Sequence, residues 1–256
     1  IGLDREGLDV TDPRAVKLRI SAESPDAVVQ GAAYTDVDAA EFYPERAEAV
    51  NVAAAENVAR ACYRMGALFV YPSSDYVFSG DETRPYRPTD STGPINSYGR
   101  SKLAGESAAR EAGRWMVIRT SWLYGAGGNH FVGKITRLAG EREGLEVVDD
   151  QIGRPTWTGS LATTTAQLME CGAEGILHAS DGGEAVSWCG FAREILARQG
   201  LNTRLVPVPA AKFPSPAARP RYSVLDCSET EQRIGREMPE WPEMLGEYLN
   251  EDFHGV

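Results

Sequence analysis

Residues 73–106 read SSDYVFSGDETRPYRPTDSTGPINSYGRSKLAGE. An apolar run at residues 67–71 precedes them and is typical of a buried strand, so Ser74 follows the end of that strand. A helical pattern begins near Tyr98, and Lys102 comes four residues later, which places both side chains on one face of a helix. The segment therefore predicts a hydroxyl group at a strand end that faces a tyrosine and a lysine on a helix.

The residues around this segment alternate between strand and helix patterns. Strand patterns occur at residues 26–30, 67–71 and 115–120, and helical patterns at 13–24, 43–65 and 98–112. Residues 8–10 have the character of a strand end, and Asp12 and Pro13 that of a helix start. This alternation predicts an α/β fold, a Rossmann-like doubly wound parallel sheet covered by helices. Ligands of such sheets bind beyond the carboxyl ends of the strands, where Ser74 lies.

The sequence after residue 120 has a different pattern. Helical patterns at residues 129–142, 160–172, 187–199 and 228–251 alternate with short strand patterns at 145–148, 176–178 and 205–208. We interpret residues 1–140 as a dinucleotide-binding domain. Residues 141–256 are predicted to form mainly a smaller α/β substrate lobe, with some segments returning to the large sheet.

The spacing of Tyr98 and Lys102 favours proton transfer. A phenol titrates near ~10 in water, and a nearby ammonium favours the phenolate, so we expect the pKa of Tyr98 to be lowered toward neutrality. Such a phenol can protonate a carbonyl oxygen that Ser74 holds by a second hydrogen bond. The alternative is that Tyr98 only packs at the helix start and Lys102 is a solvated charge.

Composition excludes several classes of partner. The formal net charge of −11 argues against binding to nucleic acid or to an anionic membrane, and no apolar run has the length of a membrane span. The four cysteines are dispersed, which is typical of a protein in the reducing cytoplasm. His130, His178 and His254 lack the spacing of metal ligands, so no metal site is predicted from them.

Ordered motifs along the chain carry a family resemblance. They are GAAYTDVDAAE at 31–41, SSDYVF at 73–78, YGRSKLAGE at 98–106, RTSWLYG at 119–125, DQIGRPT at 150–156, RP at 219–220 and SVLD at 223–226. Together they resemble the extended short-chain dehydrogenase/reductase superfamily and, within it, the dTDP-4-dehydrorhamnose reductase family. The resemblance runs in order over nearly the whole chain.

The resemblance implies hydride transfer from NADPH or NADH to the C4 ketone of a dTDP-4-keto-6-deoxy sugar. This transfer would reduce dTDP-4-dehydrorhamnose to dTDP-L-rhamnose, with Tyr98 expected to be the proton donor. Lys102 is expected to hold the nicotinamide ribose, and Ser74 to orient the ketone. Asp75 either lines the same site or only caps a turn.

The resemblance also implies the binding residues. Cofactor contacts are expected at Ala32, Ala33, Tyr34, Ser73, Tyr98 and Lys102, and substrate contacts at Tyr76, Trp122, Asn129, Phe131, Arg154 and Arg219. For Trp122 the alternative is core packing, and for Arg219 it is an exposed charge on a loop. Some relatives pair as homodimers around a magnesium ion, for which the sequence offers no recognisable ligands.

Two questions stay open at this point. The first residues lack the glycine-rich turn with which this superfamily binds a pyrophosphate. Either the sequence lacks its N-terminal strand and turn, which we expect, or the protein has lost this binding element. A related ketoreductase such as dihydrostreptose synthase would share these motifs. A non-catalytic protein of the same fold, such as the regulatory subunit of methionine adenosyltransferase, is the alternative from another class.

Overall fold

The computed structural model describes residues 1–127 and 129–251. Its strands are β1 (Ala27–Val29), β2 (Leu68–Ser74), β3 (Trp115–Thr120), β4 (Leu123–Tyr124), β5 (Gly144–Val148), β6 (Ile152–Gly153), β7 (Thr156–Trp157), β8 (Gly175–His178), β9 (Val186–Ser187) and β10 (Arg204–Val208). Its α-helices are α1 (Pro13–Glu23), α2 (Ala39–Phe42), α3 (Pro44–Glu48), α4 (Ala54–Met65), α5 (Ser97–Ala109), α6 (Phe131–Glu141), α7 (Thr158–Glu170), α8 (Trp188–Arg198), α9 (Ser228–Ile234) and α10 (Trp241–Asn250). A π-helical segment, Ala49–Ala53, joins α3 to α4, and 3₁₀ turns lie at Asp75–Val77, Arg110–Ala112 and Ala210–Lys212.

The predicted doubly wound parallel sheet is confirmed. Four parallel strands lie in the order β1-β2-β3-β8, and Ser74 at the end of β2 is opposite Thr120 at the end of β3. Successive residues of β2 face opposite sides of the sheet. Phe69 packs in a cluster with α1, α4 and α5, whereas Val70 packs in a second cluster that includes Leu168 of α7. Within the described residues β1 is an edge strand, and Val29 is 48% exposed.

Most of the predicted elements are present, but two predictions were wrong, and the short elements α2, β4, β6, β7 and β9 had no predicted counterpart. Residues 8–10 were expected to be a strand end, and this was wrong. The carboxylate of Asp9 accepts hydrogen bonds from the backbone N–H and the hydroxyl of Thr11, at 2.9 and 2.7 Å, so a local turn forms instead. The single helix expected over 228–251 is also wrong, because Gly235 takes a left-handed conformation (φ 70°) and ends α9 before α10 begins.

A second apolar cluster lies in the C-terminal half. The parallel pair β5–β10 packs with α6, α8 and α10, burying residues such as Ile135, Phe191 and Leu245. Helix α6 belongs to this cluster although all but its last residue lie within residues 1–140. The functional division into a cofactor domain and a substrate lobe stays a prediction. None of the helices within the described residues has both the length and the apolar character needed to cross a bilayer.

A buried ion pair joins α5 to the sheet beneath it. The carboxylate of Glu106 accepts hydrogen bonds from Nε and Nη2 of Arg119, both at 2.8 Å, and a third from the hydroxyl of Ser73 at 2.6 Å. Glu106 and Arg119 are 1% and 2% exposed. Because Glu106 lies on α5, Ser73 on β2 and Arg119 on β3, this cluster fixes the helix relative to both central strands.

Glycine allows α5 to approach its neighbours closely. A Cβ atom at Gly105 would lie 2.2 Å from the carbonyl oxygen of Asn51 and from the hydroxyl of Tyr71. That hydroxyl donates to the same carbonyl at 2.8 Å. A side chain at position 105 would therefore push α5 away from β2 and from the π-helical segment.

We predict that Glu106→Gln greatly lowers the free energy of unfolding. The substitution leaves the guanidinium of Arg119 buried without its countercharge, which costs about 3–5 kcal/mol. Urea unfolding followed by circular dichroism measures the change. Arg137→Ala is the control, because it removes an exposed pair with Glu141 and should change the unfolding free energy far less. Equal stabilities of Glu106→Gln and Arg137→Ala would contradict the assignment.

Candidate active site

The hydroxyl of Ser74 is fixed at the carboxyl end of β2. Its oxygen accepts a hydrogen bond from the backbone N–H of Tyr76 at 3.2 Å and donates to Oδ1 of Asp75 at 3.0 Å. Ser74 is 7% exposed and Asp75 2%. Burial raises the pKa of Asp75 to about 6, while hydrogen bonds with Ser223 and Ser74 act in the opposite direction. The strand therefore ends in a hydroxyl with a defined orientation.

The start of α5 brings Tyr98 to this hydroxyl. Asn96 caps the helix by accepting the N–H of Gly99 at 2.7 Å. A Cβ atom at Gly99 would lie 2.2 Å from the carbonyl oxygen of Tyr76, so glycine lets the helix start pack on the turn after β2. The rings of Tyr76 and Tyr98 meet edge to face, with centroids 5.8 Å apart. Burial raises the pKa of Tyr98 to about 12, although a hydrogen bond with Ser74 lowers it.

Lys102 lies one helical turn further on and is buried. Its ammonium donates to the carbonyl oxygen of Pro72 at 2.7 Å and lies 4.2 Å from the ring centroid of Tyr71. Burial lowers the pKa of Lys102 to about 7, and the charge of Glu106 acts against this shift. The structure thus gathers Ser74, Tyr98 and Lys102 beside the ends of β2 and α5.

The expected direction of the pKa shift of Tyr98 was wrong. The sequence suggested that the ammonium would lower the pKa of the phenol, whereas burial raises the pKa of Tyr98 to about 12. Burial disfavours the charged form of both groups, so it stabilises the neutral phenol and the neutral amine alike. Tyr98 therefore carries its proton at neutral pH, which suits a proton donor.

The predicted cofactor contacts occupy different environments. Ala32, Ala33 and Tyr34 follow β1, where Ala32 is exposed and the other two are half-buried. Asn51 exchanges two hydrogen bonds with the backbone of Tyr34, at 2.8 and 3.0 Å. The hydroxyl of Ser73, by contrast, points under the site to Glu106.

Arg219 is held close to the tyrosines. Its terminal nitrogens donate to the carboxylate of Asp38 at 3.2 and 2.8 Å and to the carbonyl oxygen of Ala217 at 3.0 Å. Hydrogen bonds with Asp38 and with the hydroxyl of Tyr76 raise the pKa of the guanidinium against the effect of its burial. The structure therefore places Arg219 beside Tyr76, which in turn contacts Tyr98.

Two of the other predicted substrate residues, Trp122 and Phe131, belong to an aromatic group beyond the end of β3. Trp122 has a positive φ of 49° and stacks on Trp188 with ring centroids 3.4 Å apart. The ring centroids of Phe131 and Trp188 are 4.6 Å apart, and Asn129, two residues before Phe131, is exposed. A Cβ atom at Gly153 would lie 2.5 Å from the Trp122 indole, so glycine makes room for the stacked pair.

Arg154 lies apart from the group around Tyr98. Its Nη1 donates to the carbonyl oxygen of Leu225 at 3.3 Å, and its side chain lines a cavity of about 430 Å³. The other walls come mainly from residues 225–240, which lie before, in and after α9, and neither Ser74 nor Tyr98 lines the cavity. The structure does not bring Arg154 together with the candidate catalytic group.

No cluster of three or more histidine, cysteine or acidic side chains suited to a metal ion occurs in residues 1–127 and 129–251. His178 is buried in the sheet, and His130 caps α6 by accepting the N–H of Gly133 at 3.3 Å. His254 lies outside the described residues.

Comparison with known proteins extends beyond the motifs to nearly the whole chain. The family model described as the RmlD substrate binding domain matches residues 1–253. The dTDP-4-dehydrorhamnose reductase of Burkholderia thailandensis is 40% identical over 264 residues, which cover 96% of this chain and 88% of that protein. The chain belongs to the dTDP-4-dehydrorhamnose reductase family.

Other members of the family agree in sequence and in structure. The Mycobacterium tuberculosis dTDP-4-dehydrorhamnose reductase is 45% identical over 229 residues, covering 86% of this chain and 74% of that protein. The Clostridium acetobutylicum reductase superposes with a TM-score of 0.94 at 35% identity, over 98% of this chain and 89% of that one. The Bacillus anthracis reductase, solved in complex with NADP, superposes with a TM-score of 0.93 at 38% identity, over 96% and 88% of the two chains.

The residues of this dTDP-4-dehydrorhamnose reductase family member fit a nicotinamide cofactor. An ammonium has three N–H donors, and the hydrogen bond that the structure gives Lys102 uses one of them, so donors remain for ribose hydroxyls. A Cβ atom at Gly31 would meet no atom within 4 Å, and Ala32 is exposed, so the backbone after β1 is open to a ligand. These features agree with a dinucleotide that lies along the strand ends.

Sequence analysis missed several residues of the site. Asn51 is fully buried and donates to the hydroxyl of Ser101, which donates to the carbonyl of Tyr98, so Asn51 supports the backbone that carries Tyr98. An asparagine on the apolar face of an alanine-rich helix was the available signal. Trp188 had no such signal, because an aromatic residue at a helix start is most often part of a core.

We predict that Asp75→Asn stabilises the protein above pH 6 relative to the wild type. The pKa of Asp75 is raised from its ordinary 3.8 to about 6, so folding favours the protonated acid. Below about pH 4 the carboxyl of Asp75 is protonated in both the folded and the unfolded protein. As the pH rises through about 6, the free energy of unfolding of the wild type falls by about 3 kcal/mol, and that of Asp75→Asn does not. Urea unfolding at about pH 4.5 and about pH 8 measures this difference. A difference between the two proteins that does not change with pH would contradict the buried-acid assignment.

Proposed function

We propose that this protein is an NAD(P)H-dependent reductase of the C4 ketone of a dTDP-4-keto-6-deoxy sugar, converting dTDP-4-dehydrorhamnose to dTDP-L-rhamnose. The observation that carries the proposal is the convergence of Ser74, Tyr98 and Lys102 at the carboxyl end of the sheet. The family to which the chain belongs and the relatives that bear this activity in their names support it.

Each of the three residues has a role that follows from its surroundings. The bound nicotinamide supplies a hydride. Tyr98 holds its proton at neutral pH and donates it to the oxygen of the ketone, while the hydroxyl of Ser74 orients that oxygen. Lys102 holds the ribose of the cofactor and, in its charged form, stabilises the phenolate that remains after proton transfer.

The two ligands are assigned to opposite sides of this group. We assign Ala32, Ala33, Tyr34 and Ser73 to the cofactor side, where Ser73 acts through its backbone because its hydroxyl bonds to Glu106. Asp75 and Tyr76 line the sugar site, and Arg219 pairs with the diphosphate, to which a planar guanidinium is suited. Trp122, Asn129 and Phe131 line the side of the site that faces the sugar. Arg154 is assigned to the substrate on the family resemblance alone.

The remaining sequence predictions belong to this proposal as well. They are a homodimer, a magnesium ion between its subunits, a cytoplasmic location and the absence of nucleic-acid or membrane partners. The net charge of −11 supports the last of these.

We predict that Tyr98→Phe lowers kcat by about a hundred- to ten-thousand-fold, because it removes the proton donor and leaves the ring. The assay follows NADPH absorbance with dTDP-4-dehydrorhamnose. Tyr63→Phe is the matched control, since Tyr63 is 68% exposed. Binding of NADPH and the unfolding midpoint should be unchanged in both variants.

Unchanged turnover of Tyr98→Phe would reject this tyrosine as the donor. Wild-type turnover with a different dTDP-4-keto sugar alone would favour the related ketoreductases. Binding of NADPH without turnover of any keto sugar would favour the non-catalytic alternative.

A further inference from the structure

The one-turn helix α2 presents two carboxylates to different parts of the site. Asp38 precedes its first residue, and Glu41 lies three positions later. Neither belongs to the catalytic or ligand-binding residues assigned above. Each bonds to a segment that carries one of those residues, and both segments lie far away in the chain.

Glu41 holds the first residue of α5. One carboxylate oxygen accepts the backbone N–H of Ser97 at 2.6 Å, and the other accepts the hydroxyl of Ser97 at 3.0 Å. The first N–H groups of a helix have no partner within the helix, and negative charge is favoured at that end. Because Tyr98 is the next residue, this contact fixes the backbone from which the proton donor projects.

Asp38 holds the loop that carries Arg219. In addition to the paired hydrogen bonds with the guanidinium, Oδ1 accepts the backbone N–H of Ala217 at 3.2 Å. The hydrogen bond from Arg219 lowers the pKa of Asp38, so the carboxylate is ionised at neutral pH. Asp38, Ala217 and the hydroxyl of Ser215 occupy Nη1 and one hydrogen of Nη2. The hydroxyl of Tyr76 is a further hydrogen-bond partner of the guanidinium, so of the second Nη2 hydrogen and the Nε–H one remains for another acceptor.

Asn96 closes the arrangement between these two segments. Its Oδ1 caps α5 through the N–H of Gly99, and its Nδ2 donates to the carbonyl oxygen of Ala218 at 2.8 Å. Asn96 is fully buried. The start of α5, helix α2 and the loop before Arg219 are thus joined pairwise by hydrogen bonds.

We propose that Asp38 and Glu41 are positioning residues that set the separation between the proton donor Tyr98 and the anion-binding Arg219. Asp38 orients the guanidinium so that its remaining N–H meets the diphosphate, and Glu41 sets the orientation of the phenol relative to the ketone. The inference rests on the proposed function, to which it adds the two carboxylates that align Tyr98 with Arg219.

The two carboxylates should affect different kinetic constants. Asp38→Asn loosens only the hold on the diphosphate ligand, so we expect KM for the dTDP sugar to rise about tenfold with kcat within about twofold. Glu41→Gln misaligns the donor, so we expect kcat to fall about tenfold with KM within about twofold. Glu45→Gln on the neighbouring helix α3 is the control, because Glu45 is exposed and outside this arrangement. It should leave both constants unchanged.

A double-substitution experiment tests whether Asp38 acts through Arg219. In an Arg219→Met background, Asp38→Asn should have no further effect on KM, because the group it positions is gone. The same four proteins should show the same pattern in their affinity for dTDP alone, measured by calorimetry. A further loss of affinity in the Arg219→Met background would overturn the positioning role.

Other outcomes also decide the proposal. An unchanged or lower KM in Asp38→Asn would mean that Asp38 competes with the diphosphate for Arg219. If both variants show a similar fall in kcat and rise in KM, together with a lower unfolding midpoint, both groups are only structural contacts. If the wild type turns over no keto sugar, the proposed function and the role of Glu41 fail together. The calorimetry then still decides the role of Asp38.

Discussion

The rest of the site depends on the hydrogen-bonded ion pair between the buried carboxylate of Glu106 and the guanidinium of Arg119. It accepts hydrogen bonds from Arg119 on β3 and from Ser73 on β2, while Glu106 itself belongs to the helix that carries Tyr98 and Lys102. A carboxylate without these partners would be costly to bury, so the contact has one low-energy geometry. That geometry fixes α5 against the strand ends and so places the phenol beside the serine hydroxyl.

Burial also sets the protonation states at the site. Burial of the two side chains between α5 and the sheet raises the pKa of Tyr98 to about 12 and lowers that of Lys102 to about 7. Tyr98 therefore keeps its proton at neutral pH, and the pKa of Lys102 lies close to neutral pH. A developing negative charge on the phenol would favour the charged form of the lysine, so the two groups are complementary when the proton moves.

The sequence predicted the fold and the candidate catalytic group because both depend on local order. Strand and helix patterns predicted β3 to the residue and the bounds of β2 and α5 to within three residues, and the spacing of Tyr98 and Lys102 is a property of one helix. The direction of the Tyr98 pKa shift was missed because the burial of a side chain depends on segments that are distant in sequence. The same holds for the Glu106–Arg119 pair, the Trp122–Trp188 stack and the contacts of Asp38 with the loop before Arg219.

The most direct test of this account is a crystal structure of the protein with NADP⁺ and dTDP-L-rhamnose, in which the C4 oxygen of the sugar is seen. The account predicts that the hydroxyl oxygens of Tyr98 and Ser74 both lie within about 3.2 Å of that oxygen. A sugar bound in the cavity beside Arg154, or a C4 oxygen out of reach of both hydroxyls, would contradict it.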